Sequence, residues 1–233
     1  MYFMFIVQIL LFHFYLKFYR TYKMLNERHE LINFVIKQNN YKTYLEVGSW
    51  YGFTFHRVEC DHKECCDPIK LFPELTYEMT SDQLFKTLIE NKKKYDVILI
   101  DGLHLEHQVD KDIVNALKCL NDGGAIVLDD SNPPTEHLGR HLDVYKEGSG
   151  FWNGTVYKSI INLRFSRDDL YIRTINLNNW EKQMTVIMKD TTEKTKKYNK
   201  CTLQRAKSWD YFNVYRQQLL NVLPKNEFVN SFS

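Results

Sequence analysis

Along the middle of the chain, short apolar runs alternate with segments whose apolar residues have the spacing of a helix. The clearest run, Tyr95 to Asp101, is too short for a helix and lies between a lysine cluster and Asp-Gly. Other short segments predict strands at 43–47, at 62–67 where Pro68 ends it, at 75–80 and at 125–130. Apolar positions three and four residues apart predict helices at 27–39, at 81–92 with Ser81 as N-cap, and at 109–120. This alternation predicts βαβ units, and therefore an α/β fold that is Rossmann-like and doubly wound around a mostly parallel sheet.

The pattern changes after Pro133-Pro134. A loop rich in glycine and aromatic residues leads to a predicted helix at 155–163, and strand-like runs follow at 170–177 and 184–189. Two late strands so close in sequence predict an antiparallel hairpin at the sheet edge. A polar, basic stretch then precedes a last predicted helix at 211–223. We therefore divide the chain into an apolar segment (1–23), a main domain (24–190) and a polar linker with a C-terminal helix (191–233).

The N-terminal segment is almost uninterruptedly apolar from Tyr2 to Leu16, and lysine and arginine follow. A membrane-spanning helix needs about 20 apolar residues, a length that residues 2–19 reach only if Lys17 extends to the interface. Membrane anchoring would keep the domain on the cytosolic side. The alternatives are a helix packed on the domain and a translated extension upstream of a start at Met24.

The charge and the cysteine content limit which classes of binding partner and which cellular compartment we expect. The chain has 31 lysine and arginine residues against 29 acidic ones, a net charge of +2 that provides no excess of cations for nucleic acid. Its five cysteines are odd in number and irregularly spaced, which indicates free thiols and a cytoplasmic setting. We expect a small-molecule partner and no nucleic acid.

Polar residues follow the first three predicted strands, where an open parallel sheet binds its ligands. Gly48 and Gly52 allow a ligand to approach the backbone, and Glu46 precedes them. Asp67, nineteen residues after Gly48, suits the hydroxyls of a ribose. Ser81 and Asp82 either cap a helix or contact an adenine amine. The pattern G-x-G-x-x-G is absent, which argues against a nicotinamide-dependent oxidoreductase.

Three acids follow the next two strands. Asp101, Asp129 and Asp130 would repel one another at one edge of the sheet, so we expect a divalent cation among them. The alternative is that Asp129 or Asp130 begins a turn before the prolines. His104 follows Asp101 closely and is either a general base or a surface residue.

Several segments together carry a resemblance to a known family; they are YLEVGSWYGFTF, CCDP, YEMTSDQLF, the stretch from YDVILIDGLH to LDDSNPP, and WNGTVYKSIINLR. They resemble class I S-adenosylmethionine-dependent methyltransferases, and within them a small I-D-G-x-H subgroup similar to the metal-dependent catechol-type O-methyltransferases. The resemblance implies a seven-stranded sheet with a reversed final hairpin. The second glycine of the usual E/D-x-G-x-G-x-G is Trp50 here, and His104 stands where those enzymes carry a lysine.

The resemblance also implies a set of site residues. Glu46, Gly48, Ser49 and Gly52 would line the methionine part of S-adenosylmethionine, Asp67 the ribose, and Ser81 with Asp82 the adenine; Asp101, Asp129 and Asp130 would hold Mg²⁺, with Asp101 and His104 catalytic. We expect O-methylation of a small hydroxylated acceptor, for example a sugar. The acceptor would contact aromatic residues (Trp50, Tyr51, Phe151, Trp152) and polar ones (His137, Arg140, Asn153). The alternative is an inactive, membrane-tethered binding protein of the same fold.

Overall fold

A computed structural model describes residues 25–141, 152–178, 182–189 and 191–232. The strands are β1 (Thr43–Val47), β2 (His62–Asp67), β3 (Tyr77–Glu78), β4 (Tyr95–Ile100), β5 (Leu120–Leu128), β6 (Tyr171–Asn178), β7 (Lys182–Met188) and β8 (Val222–Pro224). The helices are α1 (Arg28–Asn39), α2 (Ser81–Glu90), α3 (Glu106–Lys118), α4 (Val156–Ser166), α5 (Leu203–Lys207), α6 (Trp209–Leu219) and α7 (Lys225–Asn230).

All eight strands form one sheet in the order β3-β2-β1-β4-β5-β7-β6-β8. The first five strands are parallel, and β7 pairs antiparallel with both β5 and β6. This arrangement confirms the predicted α/β fold, its mostly parallel sheet and its antiparallel C-terminal hairpin. Because the chain order reverses between β1 and β4, ligands are expected at the carboxyl ends of these strands.

The described residues include an eighth strand that the predicted sheet of seven lacks. The prediction continued the last helix to Leu223, but α6 ends at Leu219 and Asn221 has a φ of 53°. Asn221 donates a hydrogen bond from Nδ2 to the carbonyl oxygen of Ile172 (2.8 Å), and its own carbonyl oxygen accepts one from the backbone N–H of Thr174 (3.3 Å). These bonds turn the chain, and β8 pairs parallel with β6.

Helices cover the sheet on both faces, which explains why the central strand β4 is apolar at nearly every position. In β4, Ile98 and Ile100 pack against α2, α3, α4 and α6, whereas Val97 and Leu99 pack on the opposite face, against α1 and α7. Successive side chains of a strand point to opposite faces, so one continuous apolar run supplies both cores. The sheet edge that carries the site is thereby held from both sides.

The third strand and the helix after it differ locally from the prediction. The strand covers only Tyr77–Glu78, and the N-cap of α2 is Thr80 and not Ser81. Thr80 Oγ1 accepts a hydrogen bond from the backbone N–H of Gln83 (3.4 Å), and Gln83 Oε1 accepts one from the backbone N–H of Thr80 (3.0 Å). This capping box leaves the Ser81 side chain available for other contacts.

The C-terminal residues pack onto the domain, and Arg216 of α6 is buried. Its Nη1 donates hydrogen bonds to Asn132 Oδ1 (3.2 Å) and to the carbonyl oxygen of Pro133 (2.9 Å), which holds the chain that follows β5. The predicted N-terminal segment, 1–23, lies outside the described residues. Among the helices that are described, none combines the length and the apolar character needed to cross a membrane.

Candidate active site

The turn after β1 lies directly against the turn after β4. Gly48 has a φ of 87°, and a Cβ placed on it would lie 2.1 Å from the carbonyl oxygen of Asp101. Gly52 also has a positive φ, 74°. Glycine is therefore required at Gly48 both for its conformation and for the closeness of the two turns. Ser49 beside it is buried, and its hydroxyl lies 3.5 Å from the carbonyl oxygen of Cys66.

Glu46 is buried in the central strand, where the Tyr44 hydroxyl donates a hydrogen bond to its carboxyl group (2.7 Å). Burial raises the pKa of Glu46 to about 8, although the bond from Tyr44 acts in the opposite direction. Its carboxyl group is therefore mostly protonated at neutral pH.

Asp67 ends β2 and links two loops at the same edge. Its Oδ2 accepts a hydrogen bond from the backbone N–H of Trp50 (2.9 Å), and its Oδ1 accepts one from Ile69 (3.0 Å). Each carboxylate oxygen can accept a further hydrogen bond. Asp67 thus fixes the Trp50 turn and can still accept bonds from a ligand's hydroxyls.

Gln108 of α3 joins the predicted adenine side to a residue that sequence reasoning missed. Its Nε2 lies 3.1 Å from Ser81 Oγ, 2.9 Å from Asp82 Oδ1 and 3.0 Å from Asp112 Oδ1. Asp112 is buried, and burial raises its pKa to about 6. Asp112 Oδ2 receives no hydrogen bond from the described residues. A buried acceptor in this state suits a ligand that carries an N–H donor.

Asp101, His104 and Asp130 meet where β4 and β5 end. Nε2 of His104 lies 3.2 Å from Asp101 Oδ1, and Nδ1 lies 3.3 Å from Asp130 Oδ2 and 2.8 Å from the carbonyl oxygen of Trp152. Burial lowers the pKa of His104, but the two carboxylates outweigh burial and raise it to about 10. His104 therefore carries a positive charge at neutral pH.

Asp129, the third predicted metal ligand, faces a different partner. Its carboxylate pairs with Nε of Arg28, the first residue of α1, and Arg28 Nη1 lies 3.4 Å from Asp101 Oδ2. Burial and the neighbouring Asp101 raise the pKa of Asp129, whereas Arg28 lowers it. Only three ligand atoms among the described residues group closely enough for one ion, those of Asp101, His104 and Asp130.

The segment after the undescribed residues 142–151 closes the site on one side. The Trp152 ring stacks on His104 with 5.5 Å between the ring centres, and Asn153 Nδ2 donates to Asp130 Oδ1 (2.7 Å). The backbone N–H of Thr155 donates a hydrogen bond to the carbonyl oxygen of His104 (2.8 Å). Thr155 Oγ1 accepts a hydrogen bond from the backbone N–H of Glu106, the first residue of α3 (2.7 Å). Trp152 and Asn153 were both predicted acceptor contacts.

Exposed aromatic side chains form a surface beside the β1 turn. Trp50, Tyr51 and Phe53 are 62%, 47% and 64% exposed, and their ring centres lie 4.9 to 6.4 Å apart. Phe151, also predicted to contact the acceptor, lies outside the described residues. Arg140 is exposed, and its carbonyl oxygen accepts a hydrogen bond from the Trp152 indole (2.9 Å). His137 is exposed as well.

A family model described as a methyltransferase domain matches residues 70–131. This stretch contains the turns after β3 and β4 and ends just after Asp130. Residues 70–131 are therefore similar to a methyltransferase domain. The resemblance to class I S-adenosylmethionine-dependent methyltransferases and the predicted enzyme class are thereby confirmed.

Solved structures agree with this methyltransferase fold. A putative O-methyltransferase from Klebsiella pneumoniae is 14% identical with a TM-score of 0.50, and the match covers 69% of this chain and 79% of that one. The O-methyltransferase TomG from Streptomyces achromogenes, solved with SAM, is 15% identical with a TM-score of 0.50, and the match covers 68% and 77%. At these identities the likeness shows the fold alone. None of the curated proteins matches the sequence.

Proposed function

We propose that this methyltransferase domain transfers the methyl group of S-adenosylmethionine to a hydroxyl oxygen of a small acceptor. The observation that supports it most is the convergence of Asp101, His104 and Asp130 at the carboxyl ends of β4 and β5, directly beside the Gly48 turn. Charged side chains that can take up a proton thus lie next to the turn proposed to hold the methyl donor.

The polar groups along the sheet edge fit the parts of S-adenosylmethionine. Gly48, Ser49 and Gly52 provide a turn for its methionine part, with Glu46 behind them in the strand. Asp67 retains acceptor capacity for the ribose hydroxyls. Gln108 links Ser81 and Asp82 to Asp112, and the second carboxylate oxygen of Asp112, which receives no hydrogen bond from the described residues, suits the adenine amine. When bound, this cofactor supplies an electrophilic methyl group.

Methyl transfer requires the acceptor hydroxyl to lose its proton. His104 is already protonated between its carboxylates, so we propose that Asp101 and His104 work as a pair in which a carboxylate accepts the proton and the imidazolium stabilises the charge. Asn153 and Trp152 hold Asp130 and His104 in place. The remaining contribution is the positioning of acceptor oxygen and methyl group.

The predicted Mg²⁺ requires Asp101, Asp129 and Asp130 together, and the arrangement does not fit this set. Asp129 pairs with Arg28, and the three ligand atoms that do group include an imidazole nitrogen. Magnesium prefers an octahedral shell of oxygen ligands. We therefore assign no step of the reaction to a metal ion.

The exposed aromatic side chains support a planar or sugar-like acceptor. Trp50 and Tyr51 offer ring faces next to the site, and aromatic faces pack well against flat apolar surfaces. We propose that these residues, with Trp152 and Asn153, hold a small hydroxylated ring.

The test is transfer of a labelled methyl group from S-adenosylmethionine to a panel of catechols, simple phenols and monosaccharides. His104→Ala should slow transfer about 10²- to 10⁴-fold, the range for a group engaged in proton transfer. His107→Ala, at an exposed histidine in the first turn of α3, should leave the rate unchanged. Equal rates in both variants would contradict the proposed role of His104. Cofactor binding without transfer to any acceptor would favour the inactive binding protein.

We propose a cytoplasmic location for the domain because all five cysteines are free thiols, three of them buried. For residues 2–19 a membrane anchor, a helix packed on the domain and a translated extension remain the predicted alternatives. Fractionation of cells that express the full chain or a chain starting at Met24 tests both proposals. Anchoring predicts the full chain in the membrane fraction and the shorter chain in the cytosolic fraction, whereas the same fraction for both would exclude an anchor.

A further inference from the structure

Arg28 brings a positive charge into the acidic site from a distant part of the sequence. It is 73 residues from Asp101 in the chain, yet its guanidinium contacts the carboxylates of both Asp101 and Asp129. The Arg28 side chain is 39% exposed, whereas that of Asp129 is 4% exposed. The guanidinium therefore covers a buried carboxylate from the solvent side.

A buried carboxylate needs a counter-charge, and Arg28 supplies one that is permanent. Arg28 pairs with Asp129 and approaches Asp101, while His104 lies between Asp101 and Asp130. Arg28 alone reduces the formal charge of the three carboxylates from three negative charges to two. It thereby weakens the attraction that would draw a divalent ion to three bare carboxylates and takes up Asp129 as a ligand.

Hydrogen bonds within the protein hold the backbone around Arg28. Glu27 and Glu30 form a capping box at the start of α1, and Lys225 Nζ donates to Asn26 Oδ1 (2.9 Å) and to the carbonyl oxygen of Leu25 (3.4 Å). Since Arg28 is the first residue of this helix, its side chain projects from a backbone that is held on both sides. Arg28 is thus a stable part of the site.

We propose that Arg28 takes the place of the divalent cation, so that it neutralises and positions Asp101 and Asp129 and makes the site independent of metal. The proposal deepens the proposed function, since it concerns the same acidic site. A guanidinium provides a fixed planar set of donors that suits two carboxylates at once. The role is one of positioning, because Arg28 acts through the two carboxylates.

The experiment measures thermal unfolding and calorimetric titration with MgCl₂ after treatment with EDTA. Wild type should show no saturable magnesium binding below millimolar concentration. Arg28→Met, which removes the charge and keeps an unbranched side chain, should unfold at a lower temperature and bind magnesium at least about tenfold more tightly than wild type. Magnesium in about hundredfold excess over its dissociation constant should then raise the unfolding temperature of Arg28→Met by about 5 to 10 °C.

Two further variants separate charge from structure. Arg28→Lys keeps the charge and should remain insensitive to magnesium, and Arg57→Met, at an exposed arginine, should behave as wild type. A purely structural role would lower the stability of Arg28→Met without making it respond to magnesium, and that result would overturn the proposal. So would tight magnesium binding by wild type, a titration that decides the question even if Arg28→Met does not fold. Binding of S-adenosylhomocysteine by the same samples tests the proposed function separately.

Discussion

Replacing Gly48 by alanine perturbs the closest approach between two turns of the site. The added Cβ would lie 2.1 Å from the carbonyl oxygen of Asp101 and 2.6 Å from the Cα of Gly102. Both are backbone atoms, so no side-chain rotation relieves the overlap. The turns after β1 and β4 must separate, and with them the proposed methionine and proton-transfer parts of the site.

The expected cost has two parts. A left-handed backbone costs an alanine about 1–2 kcal/mol relative to glycine, and forced overpacking costs about 1–3 kcal/mol more. We therefore expect Gly48→Ala to lower the free energy of unfolding by about 2–5 kcal/mol. A domain near the middle of the usual range, about 10 kcal/mol, still folds with this loss.

Gly123→Ala is a matched control. Gly123 has a φ of 72°, close to that of Gly48, but a Cβ there would have no atom within 4 Å. Urea unfolding of both variants should show a loss of about 1–2 kcal/mol in Gly123→Ala and a larger loss in Gly48→Ala. Equal losses would refute the reasoning that close approach, and not backbone conformation alone, requires glycine at 48. S-adenosylhomocysteine affinity should fall only in Gly48→Ala.

Three further outcomes follow from single contacts. Asp67→Ala should weaken S-adenosylhomocysteine binding by about 10- to 100-fold in calorimetry, the value of a hydrogen bond to a charged group; unchanged affinity would remove Asp67 from the ribose site. Glu46 stays protonated in the folded protein up to about pH 8 but ionises near pH 4.5 when unfolded, so the free energy of unfolding falls as pH rises between these values. In urea unfolding, Glu46→Gln should reduce that fall. An identical pH dependence in both proteins would contradict the raised pKa of Glu46. Thr155→Val should cost about 1 kcal/mol because the start of α3 loses its cap, whereas Thr155→Ser should cost little; equal losses would exclude the cap.

Local patterns predicted most of the sheet. Strands at 43–47 and 62–67 have the predicted bounds because Gly48 and Pro68 follow them, and these turn signals are local. The start of α2 depends on two adjacent polar residues, Thr80 and Ser81, that can both cap a helix. Single-residue preferences do not distinguish between them. Thr80 is the cap because Gln83 completes the capping box with it.

Residues that join the site from elsewhere in the fold had weaker signals. Gln108 and Asp112 are four apart on α3, so one helical face carries both, but the contact of Gln108 with Ser81 depends on how α2 and α3 pack. Arg28 precedes the first strand, and no pattern around it indicates that α1 begins beside Asp129. The acids after β4 and β5 were predictable because parallel strands end at one edge, whereas their counter-charges depended on the tertiary fold.

The central claim is that the edge formed by the turns after β1, β2 and β3 binds S-adenosylmethionine. Calorimetric titration of the purified full chain with S-adenosylhomocysteine, and with NADH in parallel, tests it most directly. The account predicts saturable binding of S-adenosylhomocysteine at one site per chain, weakened in Asp67→Ala and Gly48→Ala, and no binding of NADH. Binding of NADH with no heat from S-adenosylhomocysteine would contradict it.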